Sequence, residues 1–494
     1  MIHLLWLLPT LAVAASIVSG RLNTTYAALL GVVMAIPIAL LTAPTPFGSS
    51  ELVHALARGL WIGVTIAPYI LGGLLFWQVA MAGRGAVSAD SQSANDQSAL
   101  VSATLAERRS LFLACFLIGP FAEAATGFGV GMLATVALLR RLNLAPRHLM
   151  VFALLSQTII PWGAMGSGTL LAAAYARMPA SELGVHSMVL VTVLMLLVWL
   201  PLFWRTASAS GMRASASECA HEAVWILVAL GLLTIATAYL GPETALLAAF
   251  GPLIVLRYVI IERPERHQVV SMMRRVLPYM VLIGGLVLTR LLPGPKESLR
   301  AFGALAPFPD LPIWSPLFHA GSWLIVGGVL CALLRGEGAL LGKEMRAAWK
   351  TGKHATMAVF LFAMMSEVMS IAGISRAFAE GMFAALDANA LLLTPLVSGA
   401  FGVLANTGNA PNSLFMSPQL ILASQAGMSI SAVAALQHIS GSSLSIFSPV
   451  RMSIAAALCQ GYGQERAVYS TLLLYAIVAV ALLTLTAIIL VANS

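Results

Sequence analysis

The chain has 494 residues, of which 59% are hydrophobic and only 9% are charged, and its formal net charge is +8. Soluble domains carry roughly 25% charged residues, so this composition excludes an ordinary soluble domain and indicates a membrane protein. The basic residues lie between apolar segments rather than on one face, which argues against nucleic acid as a partner.

Windows of about 20 apolar residues predict the membrane-spanning helices. In chain order these windows lie at 2–18, 25–43, 56–80, 148–174, 185–205, 222–240, 243–261, 276–291, 319–334, 354–374, 430–460 and 467–492. The window at 430–460 contains Ser440-Gly-Ser-Ser443 and Pro449, so we expect a broken helix there. The fold class predicted is an all-α, polytopic membrane protein with about twelve spans in contact with lipid.

Two further apolar segments, 110–139 and 391–420, are interrupted in the middle by Gly, Pro or Asn. Irregular backbone at membrane depth is tolerated only where protein or a watery cavity satisfies its polar groups. We interpret both segments as re-entrant helical hairpins, which enter and leave the membrane on the same side.

The positive-inside rule tests this interpretation. The basic loops all face the cytoplasm only if 110–139 does not cross the membrane, and the first hairpin then opens inward and the second outward. The basic residues concerned are Arg21, Arg84, Arg108, Arg109, Arg140, Arg141, Arg147, Arg205, Arg213, Arg263, Arg266, Arg274, Arg275, Arg335, Lys343, Arg346, Lys350 and Lys353.

A short internal similarity agrees with two inverted halves. Ala124-Ala-Thr-Gly127 in the first hairpin resembles Ala405-Asn-Thr-Gly408 in the second, and Gln157 and Gln437 occur at nearly the same offset. The pattern favours an elevator-type transporter with two inverted repeats. The predicted division is 1–205 for the first repeat, 206–275 for two linking helices and 276–494 for the second repeat.

Glu123 lies within an apolar segment, where a lone carboxylate costs roughly 3 kcal/mol or more. Burial favours the protonated carboxyl group, so Glu123 is a candidate for proton coupling. The alternative is a structural carboxylate that caps the N–H groups of a broken helix. Glu367 is a second intramembrane acid, with a proton relay and a structural ion pair as its two interpretations.

Polar and small residues at the helix breaks are candidates for substrate binding. Free N–H groups at a helix N-terminus attract a carboxylate, and glycine lets a ligand approach the backbone. The alternative roles are backbone satisfaction, helix packing and interhelical hydrogen bonding, and His438 is expected to be a core histidine rather than a proton carrier. The candidates are Thr126, Gly127, Gly129, Gln157, Asn406, Thr407, Asn409, Asn412 and Gln437.

The segment Phe121-Ala-Glu-Ala-Ala-Thr-Gly-Phe-Gly129 resembles the Phe-Leu-Glu-Gly-Ala-Ala-Gly-Phe-Gly signature of bacterial L-lactate permeases. Trp162-Gly-Ala-Met-Gly166, Asn412-Ser-Leu-Phe415 and Phe447-Ser-Pro449 also follow the order of motifs in that family. The resemblance implies a proton symporter in the bacterial cytoplasmic membrane. It would import 2-hydroxy monocarboxylates such as lactate or glycolate, and carriers of elevator type are often homodimers.

The chain departs from that family at two points. Residues 405–412 lack the acid of the family's second hairpin, and Ser445 replaces a lysine four residues before the proline. Arg451, two residues after Pro449, is the candidate for the missing positive charge and thus a substrate anchor. Its planar fork suits a carboxylate or a sulfonate. The alternative is an arginine that snorkels to the membrane surface.

Other function classes find less support. No HExxH, GxSxG or P-loop motif occurs, so we expect neither an enzyme nor a nucleotide, metal or other cofactor site. Sodium coupling to another carboxylate or a sulfonate remains the alternative to proton symport, because Asn406-Thr-Gly408 is similar to sodium-binding elements of related carriers.

Overall fold

The computed structural model describes residues 2–19, 22–81, 100–127, 129–262 and 266–493. Within these ranges the protein is helical, and one isolated antiparallel bridge joins Leu305 to Trp314. Phe128 of the first hairpin and the basic residues Arg21, Arg84 and Arg263 lie outside the described residues.

The helices up to the middle of the chain are interrupted at several points. Two π-helical turns, Ala114–Ile118 and Met195–Trp199, each lie between two α-helical segments. A 3₁₀ turn, Ile160–Trp162, precedes the helix that begins at Gly163. The helices are α1 (Ile2–Val18), α2 (Thr24–Thr42), α3 (Ser49–Met81), α4 (Leu100–Leu113), α5 (Gly119–Thr126), α6 (Val130–Leu139), α7 (Pro146–Leu155), α8 (Gly163–Ala176), α9 (Ala180–Leu194), α10 (Leu200–Ala209), α11 (Ala216–Leu240) and α12 (Pro242–Glu262).

The remaining helices follow the same pattern of long helices and broken pairs. A 3₁₀ segment, Asp387–Leu393, leads into the helix that begins at Thr394, and another, Ser445–Phe447, precedes the helix that begins at Pro449. These helices are α13 (Arg266–Leu291), α14 (Pro293–Ala301), α15 (Ala320–Leu334), α16 (Leu341–Ile371), α17 (Ile374–Leu386), α18 (Thr394–Ala405), α19 (Asn409–Gln425), α20 (Ile430–Leu444), α21 (Pro449–Cys459) and α22 (Glu465–Ala492).

Among the described residues, 10 helices are long and apolar enough to cross a membrane, or up to 12 if each of two bent pairs is one span. The prediction of an all-helical, polytopic membrane protein is therefore confirmed. The expected break in 430–460 is also present, because α20 ends at Leu444 and α21 begins at Pro449.

The span predicted at 148–174 is not one continuous helix. A first helical segment ends at Leu155 and a second begins at Ile160, and the two segments are bent by 59° relative to each other. Pro161 has no N–H to donate, and Ala164 and Met165 follow with positive φ, so the helix cannot continue through this segment. The break exposes backbone polar groups beside the first hairpin.

The helix is interrupted at both predicted hairpins, and at the first the chain also reverses direction. In the first, the Thr135 hydroxyl of α6 donates to the Ala114 carbonyl at 3.1 Å, so the second limb packs back along the first. Gly127 and Gly129 form the turn with φ values of 74° and 81°. In the second, Asn406 has a φ of 57°, in the left-handed region that interrupts a helix.

The hairpins lie among buried apolar helices. One continuous core includes residues of α5 to α9, α11, α12 and α20 to α22. A second core joins α1 and α2 to α16, around Phe362 and Met365. Charged groups at the breaks are therefore enclosed by apolar side chains, which strengthens their electrostatic interactions.

Candidate functional site

The Glu123 carboxylate caps the second limb of its own hairpin. Its two oxygens accept hydrogen bonds from the backbone N–H groups of Gly129 and Gly131, at 3.2 and 3.0 Å. These N–H groups lie at the start of α6, where a helix has no internal acceptor for them. The capping role considered from the sequence is thus present in the structure, and Glu123 is 8% exposed.

Gln157 connects this carboxylate to an arginine from the other end of the chain. Its amide nitrogen Nε2 donates to Glu123 Oε2 at 3.2 Å, and its Oε1 accepts from Arg451 Nη1 at 2.7 Å. Gln157 occupies the break between α7 and α8, and Arg451 lies in the first turn of α21. The resulting order is Arg451 to Gln157 to Glu123, one cation and one anion linked through an amide.

Arg451 also reaches the second hairpin. Its Nη2 lies 3.5 Å from the backbone carbonyl of Asn406, at the break between α18 and α19. Arg451 is 9% exposed, so it is not a snorkelling arginine. Within the described part of the chain, Arg451 Nε and Asn406 Oδ1 are buried without a hydrogen-bond partner. One guanidinium group therefore contacts both helix breaks and retains a free donor.

The remaining polar residues of the second hairpin mostly hold its limbs together. The Thr407 hydroxyl accepts from the Asn409 N–H at 3.1 Å. Gln437 of α20 donates to Ser398 at 2.9 Å and to the Pro411 carbonyl at 3.1 Å, and so ties both limbs to α20. Gln157 and Gln437 thus each bind the hairpin of their own half of the chain.

His438 is a buried core histidine whose two ring nitrogens are held by Thr169 and Asn412. The Thr169 hydroxyl donates to the Pro161 carbonyl at 2.6 Å, so its oxygen accepts from His438 Nε2 at 3.1 Å. Nδ1 then carries the lone pair and accepts from Asn412 Nδ2 at 2.9 Å. This chain of hydrogen bonds joins the break before α8 to the second hairpin.

Thr126 and the two glycines shape the first break. The Thr126 hydroxyl donates within its own helix, to the Ala122 carbonyl at 2.7 Å. A Cβ on Gly127 would lie 2.9 Å from the Ala164 Cβ, whereas a Cβ on Gly129 would approach the flexible end of Met132. Gly127 therefore permits close packing against the start of α8, in addition to its positive φ.

Glu367 lies in a different cluster. It accepts from Arg58 Nε at 2.8 Å and forms a shorter ion pair with Arg177, and neither arginine belongs to the Arg451 network. Asp310 completes the cluster by pairing with Arg58 at 2.5 Å. The Arg58 guanidinium holds the pKa of the Asp310 carboxyl below its ordinary value. The structure thus places Glu367 in an ion pair of the kind considered as its alternative role.

Sequence reasoning missed Arg58, Arg177 and Asp310. Arg58 was detectable, because it lies inside a predicted span and an intramembrane cation needs an acid partner such as Glu367. Arg177 and Asp310 lie in connections between helices, where charge is ordinary. No spacing in the sequence identifies them as partners.

The helices and the enclosed charges define a multi-pass membrane protein with a buried polar site between broken helices. The chain is similar to the L-lactate permease of Salmonella typhi, with 27% identity over 245 residues. The L-lactate permease of Salmonella typhimurium strain LT2 matches equally well.

The matched region covers 48% of this chain and 41% of each relative, so less than half of either relative is represented. The resemblance inferred from the motifs is confirmed as a similarity to these proteins. Both relatives are permeases, which are transport proteins rather than enzymes. No protein-family profile matches the chain.

Proposed function

We propose that this protein is a secondary active transporter that takes up small 2-hydroxy monocarboxylates, such as lactate or glycolate, by proton symport. The observation that carries the proposal is the position of Arg451. It is buried, contacts both helix breaks and keeps Nε without a partner among the described residues. A buried arginine with a free donor is suited to a carboxylate, which it binds through two parallel hydrogen bonds.

Charge balance links the anion to a proton. Arg451 and Glu123 are joined through Gln157, and as ions they are together neutral. Binding a carboxylate leaves one negative charge in excess, and a proton on Glu123 removes it. Because an unbalanced charge in a low-dielectric site is costly, the anion and the proton favour each other's binding. Glu123 is accordingly the proposed coupling residue, although it is also a helix cap.

Polar atoms of the second hairpin supply the rest of the proposed site. Asn406 Oδ1 and Asn412 Oδ1 lack partners among the described residues, so they can accept from the hydroxyl group of a 2-hydroxy acid. We further propose that Thr407, Asn409 and Gln437 shape this side of the site, and that Thr126, Gly127 and Gly129 shape the other.

The proposed mechanism follows from the two hairpins. We infer inverted repeats at 1–205 and 276–494, linked by 206–275, with hairpins that open to opposite faces. The matched roles of Gln157 and Gln437 support this division. Movement of the hairpin-bearing helices would then carry the site across the membrane, as in elevator-type carriers. A homodimer is the proposed assembly.

Uptake by the purified chain in proteoliposomes tests the function. Labelled lactate and glycolate are offered with an imposed pH gradient, with a sodium gradient, or with neither, to wild type and Arg451→Gln. We expect accumulation that needs the pH gradient, is abolished by a protonophore and is absent in Arg451→Gln. Uptake of neither acid by wild type, under any gradient, overturns the proposal.

Sodium-coupled transport of another organic anion is the second candidate. Buried oxygens without partners in the described residues cluster near the second hairpin, including those of Asn406, Asn412, Gln437 and Ser440. Neutral oxygen donors suit a hard cation. Uptake that follows the sodium gradient and resists the protonophore would support this candidate instead. A labelled sulfonate, offered in the same assay, tests the substrate class.

A further inference from the structure

A large cavity opens away from the Arg451 site, along the opposite part of α8. It has a volume of about 1000 Å³ and is bounded by α3, α8, α12, α14 and the segment 304–319. The positive-inside assignment places these ends of α8 and α12 on the outer face. Pockets of 300–1,000 Å³ are typical of ligand sites, so this one is roomy for a small acid.

Two arginines share one aromatic ring at this cavity. The guanidinium carbons of Arg290 and Arg300 each lie 4.7 Å from the centroid of the Phe318 ring. Arg290 is paired with Glu243 at 3.1 Å, but its Nε is buried and has no partner among the described residues. Arg300 is exposed. Both arginines line the cavity, and its lining holds four basic and three acidic residues, so the balance of charge favours an anion.

His319 adds a hydrogen-bond acceptor to the same wall. Its Nε2 lies 2.9 Å from the Thr65 carbonyl, and a carbonyl can only accept, so Nε2 carries the hydrogen. Nδ1 of the neutral ring is then an acceptor, and it too is buried without a partner in the described part of the chain. His319 is only 7% exposed, and the Tyr69 ring packs against it at 4.1 Å.

We propose that this cavity is a second, outer binding site for a small 2-hydroxy monocarboxylate, which captures the anion before it reaches Arg451. Arg290 and Arg300 bind the carboxylate, and His319 Nδ1 accepts from the 2-hydroxyl group. The proposal rests on the proposed function for its substrate class. By binding the anion first, the cavity raises the rate at which the protein captures it from outside.

Leu170 and Ala173 of α8 line the cavity, whereas Gly168 faces Asn409 of the second hairpin. The same helix thus forms a wall of both sites. The arrangement is therefore compatible with two anions bound at once, one on each side of α8.

Equilibrium binding of labelled L-lactate to the purified full chain tests the second site. We expect Arg451→Gln to retain one bound lactate per chain, and Arg300→Gln in that background to remove it. Arg376→Gln is the matched control, because Arg376 is an exposed arginine of α17 that does not line the cavity. Loss of all binding in Arg451→Gln, or equal binding in the Arg300 and Arg376 variants, overturns the proposal.

Uptake kinetics give a second readout. In otherwise wild-type protein, Arg300→Gln is expected to raise the half-saturating external lactate concentration about threefold to tenfold at low salt, with an unchanged maximal rate. The difference should shrink at high ionic strength, where charges are screened. If wild type transports no lactate, the proposed function fails. Lactate binding that survives Arg451→Gln and is removed by Arg300→Gln would still support the outer site.

Discussion

Arg451 Nη1 donates a 2.7 Å hydrogen bond to Oε1 of Gln157, a residue that lies almost 300 positions earlier in the chain. The amide of Gln157 is thereby fixed, with its nitrogen directed at Glu123. A side-chain amide can donate from one end only, so this orientation is set by Arg451. The contact joins the two halves of the protein at the depth of both helix breaks.

Arg451→Lys is expected to weaken substrate binding while leaving the fold intact. Lysine keeps the positive charge but loses the planar fork, and hydrogen bonds to charged groups contribute about 1.5–3 kcal/mol each. The half-saturating lactate concentration in proteoliposome uptake should therefore rise by about tenfold or more. Arg466→Gln, at an exposed position in the first turn of the last helix, is the control and should behave as wild type. Full activity of the lysine variant would contradict the bidentate role.

Glu123→Gln is expected to separate transport from coupling. The amide retains one oxygen acceptor for the N–H groups of Gly129 and Gly131, but it cannot bind a proton at neutral pH. The variant should exchange lactate between the two sides of a vesicle and should fail to accumulate it under a pH gradient. Accumulation equal to that of wild type would show that the proton binds elsewhere.

The helices were predictable from the sequence because their apolar length is a local property. The breaks in the two hairpins were also predictable from the sequence, because Gly127, Gly129 and Asn406 occupy backbone conformations that suit glycine and asparagine. The break after Leu155 was missed, although Pro161 and the polar residues before it signal one. Apolar composition alone does not distinguish a continuous helix from a bent pair.

The residues of the site were easier to predict from the sequence than the contacts between them. Glu123, Gln157 and Arg451 were each identified as candidates, but the order in which they hydrogen-bond depends on tertiary packing. Glu367 was identified, whereas its partner Arg177 was not, because a charged residue just after a helix is unremarkable in sequence. Long-range ion pairs between helices leave no local periodicity.

Gly131→Ala is expected to disrupt the first hairpin. An added Cβ would lie 2.5 Å from the Gly119 carbonyl oxygen and 2.8 Å from Gln157 Nε2. The carbonyl belongs to backbone and cannot move away cheaply, so the change should destabilise the fold by about 1–3 kcal/mol. The apparent melting temperature in detergent measures this loss of stability. Gly231→Ala is the control, because no described atom outside the neighbouring backbone of its own helix lies within 4 Å of its added Cβ. Equal melting temperatures for the two variants would contradict the close packing.

Glu367→Gln is expected to lower stability more than removal of an exposed acid. Glu367 is buried and paired with both Arg58 and Arg177, and breaking a buried ion pair costs about 3–5 kcal/mol. Because Arg177 is partly exposed, we expect a loss of folding free energy near the lower end of this range. Glu380→Gln, at an exposed position of α17, is the matched control. A thermal shift no larger than that of the control would show that the two arginines find other partners.

Asp310→Asn is expected to destabilise the protein equally at pH 5 and pH 8. The Arg58 guanidinium lowers the pKa of Asp310 from its ordinary value, which is about 3.9 in unfolded chains. A carboxyl with a lowered pKa stabilises the fold above its unfolded pKa and loses this contribution only as pH falls through the folded pKa. The Asp310 carboxylate therefore stays ionised throughout the range in which a proton-coupled carrier works.

Apparent melting temperatures of the Asp310→Asn variant and wild type at both pH values test this prediction, with Glu380→Gln as the control. A destabilisation present at pH 8 and absent at pH 5 would show that Asp310 titrates between them and belongs among the proton-coupling groups.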